Sequence, residues 1–189
     1  MKKIVLASQS PRRKQLLEWA EVPFEIVIEP TDETFPPHLP ASEAAIYIAR
    51  QKAQAIKHKY PGSIIIAADT MVVLNNEIIG KPKDRDDAIQ ILSKLSGAHH
   101  QVITGVVIAE DHAEIAFADK TDVEFHELSK EQIAFYVDKY KPYDKAGAYA
   151  IQEWIGVVGI RSVKGDFYNV MGLPVSRVVR HLEAISQKP

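Results

Sequence analysis

A chain of 189 residues that is 46% hydrophobic and 25% charged has the composition of a globular protein with a sizeable core. Its formal net charge of -2 gives no global positive field for a nucleic-acid backbone, so any bound anion needs a local basic cluster. Cysteine is absent, which excludes a disulfide framework, a thiolate metal site and a cysteine nucleophile.

From Met1 to Leu6 the chain briefly resembles the start of a signal peptide, but the apolar run breaks at Ser8 and Pro11-Arg12-Arg13-Lys14 follows at once. No stretch approaches the roughly 20 apolar residues of a membrane helix, so a cytoplasmic protein without membrane contact is expected. Residues 4–6 predict a first strand, and Ala7-Ser8-Gln9-Ser10 a polar loop. Pro11 suits the first position of a helix whose apolar side holds Leu16, Leu17 and Ala20. Residues 24–28 read as a second strand. Residues 29–40, with prolines at 30, 36, 37 and 40, read as a loop.

Ser42-Glu43 opens the next predicted helix, which Pro61-Gly62 stops after about residue 59. Residues 63–68 are continuous and β-branched, as in a strand buried on both faces, and residues 72–74 and 78–79 flank Asn75-Asn76-Glu77 as a hairpin. Residues 84–95 predict a helix capped by Asp84, with Gly97 just past its end. Residues 101–109 and 113–125 predict two longer strands joined by a turn at Glu110-Asp111-His112. Ser129-Lys130-Glu131-Gln132 is a capping box that starts a helix ending before Pro142. Residues 156–160 predict a further strand, and Pro174 begins a final helix that groups Val175, Val178, Val179 and Leu182. The order of elements points to an α/β fold with a mixed sheet.

Four constellations bear on chemistry. Ser8-Gln9-Ser10-Pro11-Arg12-Arg13-Lys14 places two hydroxyls and two guanidiniums at a helix start, where free backbone N–H groups already favour an anion. It reads either as a solvated basic turn with Ser10 as a cap or as a polyphosphate cradle. The cradle is favoured, because cations at a helix N-terminus oppose the macrodipole by roughly 0.3–1 kcal/mol each. Asp69, in Ala67-Ala68-Asp69-Thr70 at the predicted strand end, reads as a turn cap or as a proton acceptor and cation ligand. Thr31-Asp32-Glu33-Thr34 is a solvated acidic loop or part of a hard-metal site. Lys52, Lys81 and Lys145 read singly as surface charges and together as a phosphate lining.

The histidines show no metal-ligand spacing, and His99-His100 read as surface residues. Trp19 and Trp154 read as packing residues. No Walker-type or dinucleotide-binding glycine motif occurs, and Ser8 and Ser10 have no serine-hydrolase partner pattern.

Ser8-Gln9-Ser10-Pro11-Arg12-Arg13, Ala67-Ala68-Asp69-Thr70, Gly80-Lys81-Pro82, Thr104-Gly105-Val106, Asp144-Lys145-Ala146-Gly147-Ala148-Tyr149-Ala150-Ile151-Gln152 and Asn169-Val170-Met171-Gly172-Leu173-Pro174 occur in this order. Together they resemble the Maf family over nearly the whole chain, with residues 153–166 matching least clearly. The resemblance implies one domain over residues 1–189, with an elongated mixed β-sheet flanked by helices. The implied fold is that of inosine-triphosphate pyrophosphatases, with a cleft between two lobes. It implies hydrolysis of nucleoside triphosphates to monophosphate and pyrophosphate with a divalent cation, magnesium or manganese. Asp69 matches the family's proposed proton acceptor, and Ser8, Arg12, Arg13, Glu33, Lys52 and Lys81 match positions around the phosphates and metal. Arg12, Thr70 and Gln152 match the branch acting on dTTP and UTP rather than the 7-methyl-GTP branch. The resemblance also suggests a homodimer.

Two rival readings are a nucleotide-binding regulator of septum formation, which has no use for Asp69, and a nucleic-acid module built on Arg12-Arg13-Lys14. The near-neutral charge and the lack of interleaved aromatics count against the second.

Overall fold

The structure is a computed structural model that describes residues 2–111 and 113–186. His112, placed in a turn by the sequence, and Met1 lie outside the described residues. The strands are β1 (Ile4–Leu6), β2 (Glu25–Ile26), β3 (Ile64–Leu74), β4 (Glu77–Ile79), β5 (His99–Glu110), β6 (Ala113–Phe125) and β7 (Ile160–Lys164). The helices are α1 (Pro11–Trp19), α2 (Ala41–Lys57), α3 (Arg85–Leu95), α4 (Lys130–Tyr140), α5 (Trp154–Gly159), α6 (Phe167–Met171) and α7 (Val175–Ser186). Among the described residues the sheet order is β2-β1-β3-β5-β6-β7, with β4 paired to β3. The pairs β1–β2 and β1–β3 are parallel, whereas β3–β4 and β6–β7 are antiparallel. The sheet is therefore mixed, as expected.

The chain divides into two compact units. The first contains residues 1–69, 104–119 and 172–189, and the second residues 70–103 and 120–171. In the first, α2 lies on the sheet through Ala49, Ala53 and Ile56, which pack with Val5, Ile65, Ala67 and Val107. These helix positions recur at i, i+4 and i+7 and so share one face. Small residues bring the helix close. Gly105 of β5 is closest of all, because a Cβ built there falls 2.3 Å from the Ile46 backbone nitrogen and 2.4 Å from the Ala45 carbonyl carbon. Glycine is required at that crossing because the obstructing atoms are backbone. The close crossing sets the height of α2, and hence of Lys52, above the sheet.

In the second unit α3 packs on α4, burying Leu92, Leu95, Ile133, Tyr136 and Val137. The caps follow the sequence. Asp84 Oδ1 accepts from the Asp87 N–H at 2.9 Å, and Ser129 and Gln132 form the reciprocal capping box. In α7, Val178 and Leu182 are buried, as its periodicity requires.

Several expectations need correction. β2 is two residues long rather than five, and both of its residues are exposed. The runs at 63–68 and 72–74 form one continuous strand, because antiparallel pairing with β4 carries β3 through to Leu74. The hairpin turn is only Asn75-Asn76, both at positive φ (49° and 65°), a conformation asparagine tolerates. Residues 156–160 are chiefly helix α5, and the strand starts at Ile160. Trp19 is 59% exposed, so it is not a packing residue of the core.

Gly105→Ala should lower stability by about 1–3 kcal/mol, read as the shift of the urea midpoint at unchanged slope. Gly80→Ala, where a Cβ meets nothing within 4 Å, is the control and should stay within about 0.5 kcal/mol.

Candidate active site

The first unit gathers six of the residues singled out from the sequence. Ser10 caps α1, its Oγ accepting the Arg13 N–H at 3.4 Å, while Ser8 Oγ accepts the Ser10 N–H at 3.1 Å. Pro11 occupies the first helical turn. This local turn sends the side chain of Arg13 inward, where only 8% of the residue remains exposed. Its guanidinium donates from Nε to the Gly172 carbonyl at 2.8 Å and from Nη1 to Ser8 Oγ at 3.3 Å, which fixes its plane. Burial lowers the Arg13 pKa, the negative charges of Asp69 and Glu33 act to raise it, and neighbouring Arg12 acts to lower it. The two guanidiniums and two carboxylates therefore share one electrostatic environment within this unit.

Lys52 joins them. From the fourth turn of α2 its Nζ lies 2.8 Å from Asp69 Oδ1 and 2.8 Å from Glu33 Oε1. The Lys52 and Asp69 side chains are each 15% exposed, whereas that of Glu33 is 44% exposed. Glu33 is thus tied to Lys52, and Lys52 is an interior cation rather than a surface charge. Asp69 is the sixth of the eleven residues of β3, so it leaves the middle of a strand and not its carboxyl end. Strand pairing on both sides of Asp69 holds its backbone, which a position at the head of a loop would not do.

Ser8, Arg12, Arg13, Glu33, Lys52 and Asp69 lie in the first unit, and Thr70, Lys81 and Gln152 in the second. Thr70 continues β3, Lys81 follows β4, and Gln152 is an exposed residue of a turn ahead of α5.

The second unit also contains a buried cluster that the sequence did not announce. His100, expected at the surface, is 2% exposed and stacks on Phe125 with centroids 5.4 Å apart. Its Nε2 lies 2.6 Å from the Tyr149 hydroxyl, three residues before Gln152. In an alternating strand His99 and His100 face opposite sides, and His100 takes the inner one. Burial, with His99 adding to it, lowers the His100 pKa from 6.5 to about 4, and burial raises that of Tyr149. Lys145 is interior as well, with Nζ 2.8 Å from Asp144 Oδ1 and 3.7 Å from Glu153 Oε1.

The family model for Maf-like proteins matches residues 3–185. The chain belongs to the Maf family. This Maf-family chain is 50% identical over 180 residues to a protein of Cytophaga hutchinsonii named dTTP/UTP pyrophosphatase, covering 95% of this chain and 83% of the relative. It is 49% identical over 185 residues to a Phocaeicola vulgatus protein of the same name, covering 97% and 96% respectively. Among solved structures, the Staphylococcus aureus Ham1 protein is similar with a TM-score of 0.56 at 18% identity, covering 97% of this chain and all of that one. That likeness shows the shared fold, in agreement with the architecture expected from sequence.

Because the folded state holds His100 neutral while the unfolded chain protonates it near pH 6.5, the unfolded state binds more protons between about pH 6.5 and 4. The stabilisation is full above that window and is lost as pH falls through it. Wild type should lose about 2 kcal/mol more stability than His100→Phe between pH 7 and pH 5 in urea titrations. Equal losses would show that His100 does not stay neutral in the fold.

Proposed function

We propose that this chain is a nucleoside triphosphate pyrophosphatase acting on dTTP and UTP and releasing the monophosphate and pyrophosphate. The observation that carries the reading is the bridge of Lys52 between Glu33 and Asp69 beside the fixed guanidinium of Arg13. Relatives 45–50% identical over almost the whole chain bear the name dTTP/UTP pyrophosphatase, which supports the substrate class.

Hydrolysis between the α- and β-phosphates asks a protein chiefly to position the phosphates and to balance charge. Arg12, Arg13 and Lys52 bring three cations to one place in a protein whose net charge is -2, so the attraction for a polyphosphate is local. Ser8 does two things there, accepting from Arg13 and shaping the loop ahead of α1. Asp69 is assigned the proton of the attacking water. As that water bonds to the α-phosphorus, the bond to the bridging oxygen breaks and pyrophosphate leaves with the electron pair. Lys52, already donating to Asp69 Oδ1, keeps the carboxylate oriented toward the proton it is to take. Thr70 and Lys81 are assigned to substrate binding.

A divalent cation, magnesium or manganese, belongs to the proposal. Glu33 and Asp69 fit it, because their oxygens already converge on one positive charge at 2.8 Å each. Among the described residues no group of three or more His, Cys, Asp or Glu could form a complete cage. Such a two-carboxylate set suits magnesium, which completes its shell with phosphate oxygens and water. Bound there, the ion would neutralise charge on the phosphate oxygens. Gln152 is assigned to the base, because its amide offers a donor and an acceptor side by side, matching the N3–H and carbonyl of uracil or thymine. A cytoplasmic location and a homodimer complete the proposal; the first rests on the apolar patterning of the sequence and the second on the family resemblance. Among the described residues no helix is long and apolar enough to cross a membrane.

Asp69→Asn keeps the size and one acceptor oxygen but cannot take the proton. It should lower pyrophosphate release from saturating UTP by roughly 10²-fold or more, at little cost in melting temperature. Near-normal turnover would remove Asp69 from the chemistry.

A further inference from the structure

Gln152 sits in a turn that is closed by its own backbone. The Glu153 N–H donates to the Ala150 carbonyl at 3.0 Å, which makes Ala150-Ile151-Gln152-Glu153 a four-residue turn with Gln152 third. Ile151 is 4% exposed and anchors the turn inward, whereas Gln152 points to the exposed side. A single hydroxyl spans the ends of this turn. Tyr136, whose side chain is fully buried in α4, accepts the Ala150 N–H at 3.2 Å and donates its O–H to Glu153 Oε2. The Tyr136 ring is itself fixed, stacked on Tyr140 at 5.0 Å. Beneath the turn, Gly156 admits no side chain at all, since a Cβ there would fall 1.6 Å from the Ile151 carbonyl oxygen.

We infer that Tyr136 is a positioning residue for base selection: its hydroxyl pins both ends of the 150–153 turn and so fixes the backbone from which the Gln152 side chain reaches out. The inference rests on the reading of Gln152 as the group that meets the base. An amide meets a base edge with its donor and acceptor in register only if the backbone that carries it is held at the right place. The structure holds Gln152 by its backbone, because the turn closed by the Glu153 N–H, the Tyr136 bridge and the Gly156 contact all act on residues 150–153. Glu153 is the second half of the device. Its Oε2 accepts the hydrogen bond of the Tyr136 hydroxyl, while Oε1 lies 3.7 Å from the interior Lys145 ammonium, so the carboxylate is held from two directions. Tyr136 acts through the turn and has no part in the phosphate chemistry.

The test is steady-state pyrophosphate release from UTP and GTP by Tyr136→Phe, Gln152→Ala and the double variant, with melting temperatures measured in parallel. Tyr136→Phe keeps the buried ring and removes only the hydroxyl. Its UTP-over-GTP preference in kcat/KM should fall roughly fivefold to tenfold, the loss appearing in KM for UTP rather than in kcat. In the Gln152→Ala background the same substitution should change the preference no further, because its effect passes through Gln152. Glu153→Gln, which retains an acceptor for the Tyr136 hydroxyl, should hold more of the preference than Glu153→Leu. If Gln152→Ala loses selectivity and Tyr136→Phe does not, the positioning role is overturned and the base reading stands. A fall in melting temperature for Tyr136→Phe with selectivity unchanged likewise overturns it. If Gln152→Ala leaves selectivity intact, the base reading falls and takes the inference with it.

Discussion

An ammonium drawn into a protein needs opposite charge within reach, and Lys52 has it on two sides, at Glu33 and at Asp69. That three-atom arrangement governs the rest of the first unit. Asp69 and Glu33 are both held by the one ammonium, and Arg13 gains compensating negative charge from them for its own burial. The cluster carries three cations and two carboxylates, so it is positive in a chain that is negative overall.

The backbone is built to hold that geometry without help from the ligand. Asp69 is gripped in the middle of β3 by parallel pairing with β1 before it and antiparallel pairing with β4 after it. Lys52 rides on a helix that an alanine face and Gly105 let down close to the sheet, and Arg13 is pinned to the Gly172 carbonyl from a turn capped by Ser10. Each charged group is thus set by a regular element or a cap, and preorganised charge of this kind costs no rearrangement when charge develops in a reaction. In the second unit the same economy recurs with neutral groups, where the Tyr136 hydroxyl and a glycine under Ile151 shape the turn of Gln152.

Much of this was legible in the residues because it depends on short-range chemistry. Ser129 and Gln132, Asp84 and Asp87, and Pro11 after Ser10 announce their helices through side chains that satisfy nearby N–H groups, and the structure has each cap in place. The misses depend on distant partners. Nothing local in His99-His100 says that the second ring meets Phe125 and Tyr149, since only the strand alternation and its partners decide which histidine is buried. Residues 156–160 carry valines and isoleucine that suit a strand, yet the carbonyls of Ala150 and Glu153 capture the N–H groups of Glu153, Gly156 and Val157 and begin a helix instead. Asp69 was recognisable as a reactive candidate, but its place in mid-strand depended on β4, whose pairing runs across a turn of two asparagines at positive φ. Glu33 is the sharpest case. Its loop composition favours solvation, yet Lys52 reaches it from another element and ties it down.

The most direct measurement is pyrophosphate release from UTP by Lys52→Gln in saturating magnesium, alongside a melting curve that reports whether the protein is folded. Glutamine is shorter but polar and can still donate a hydrogen bond, and it lacks the charge that sets both carboxylates. A folded variant whose kcat/KM falls by roughly 10²-fold or more is the result expected from a central ammonium. A folded variant that turns over UTP as wild type does would contradict it, and Glu33, Asp69 and Lys52 would then be no more than an ion pair network that steadies the first unit.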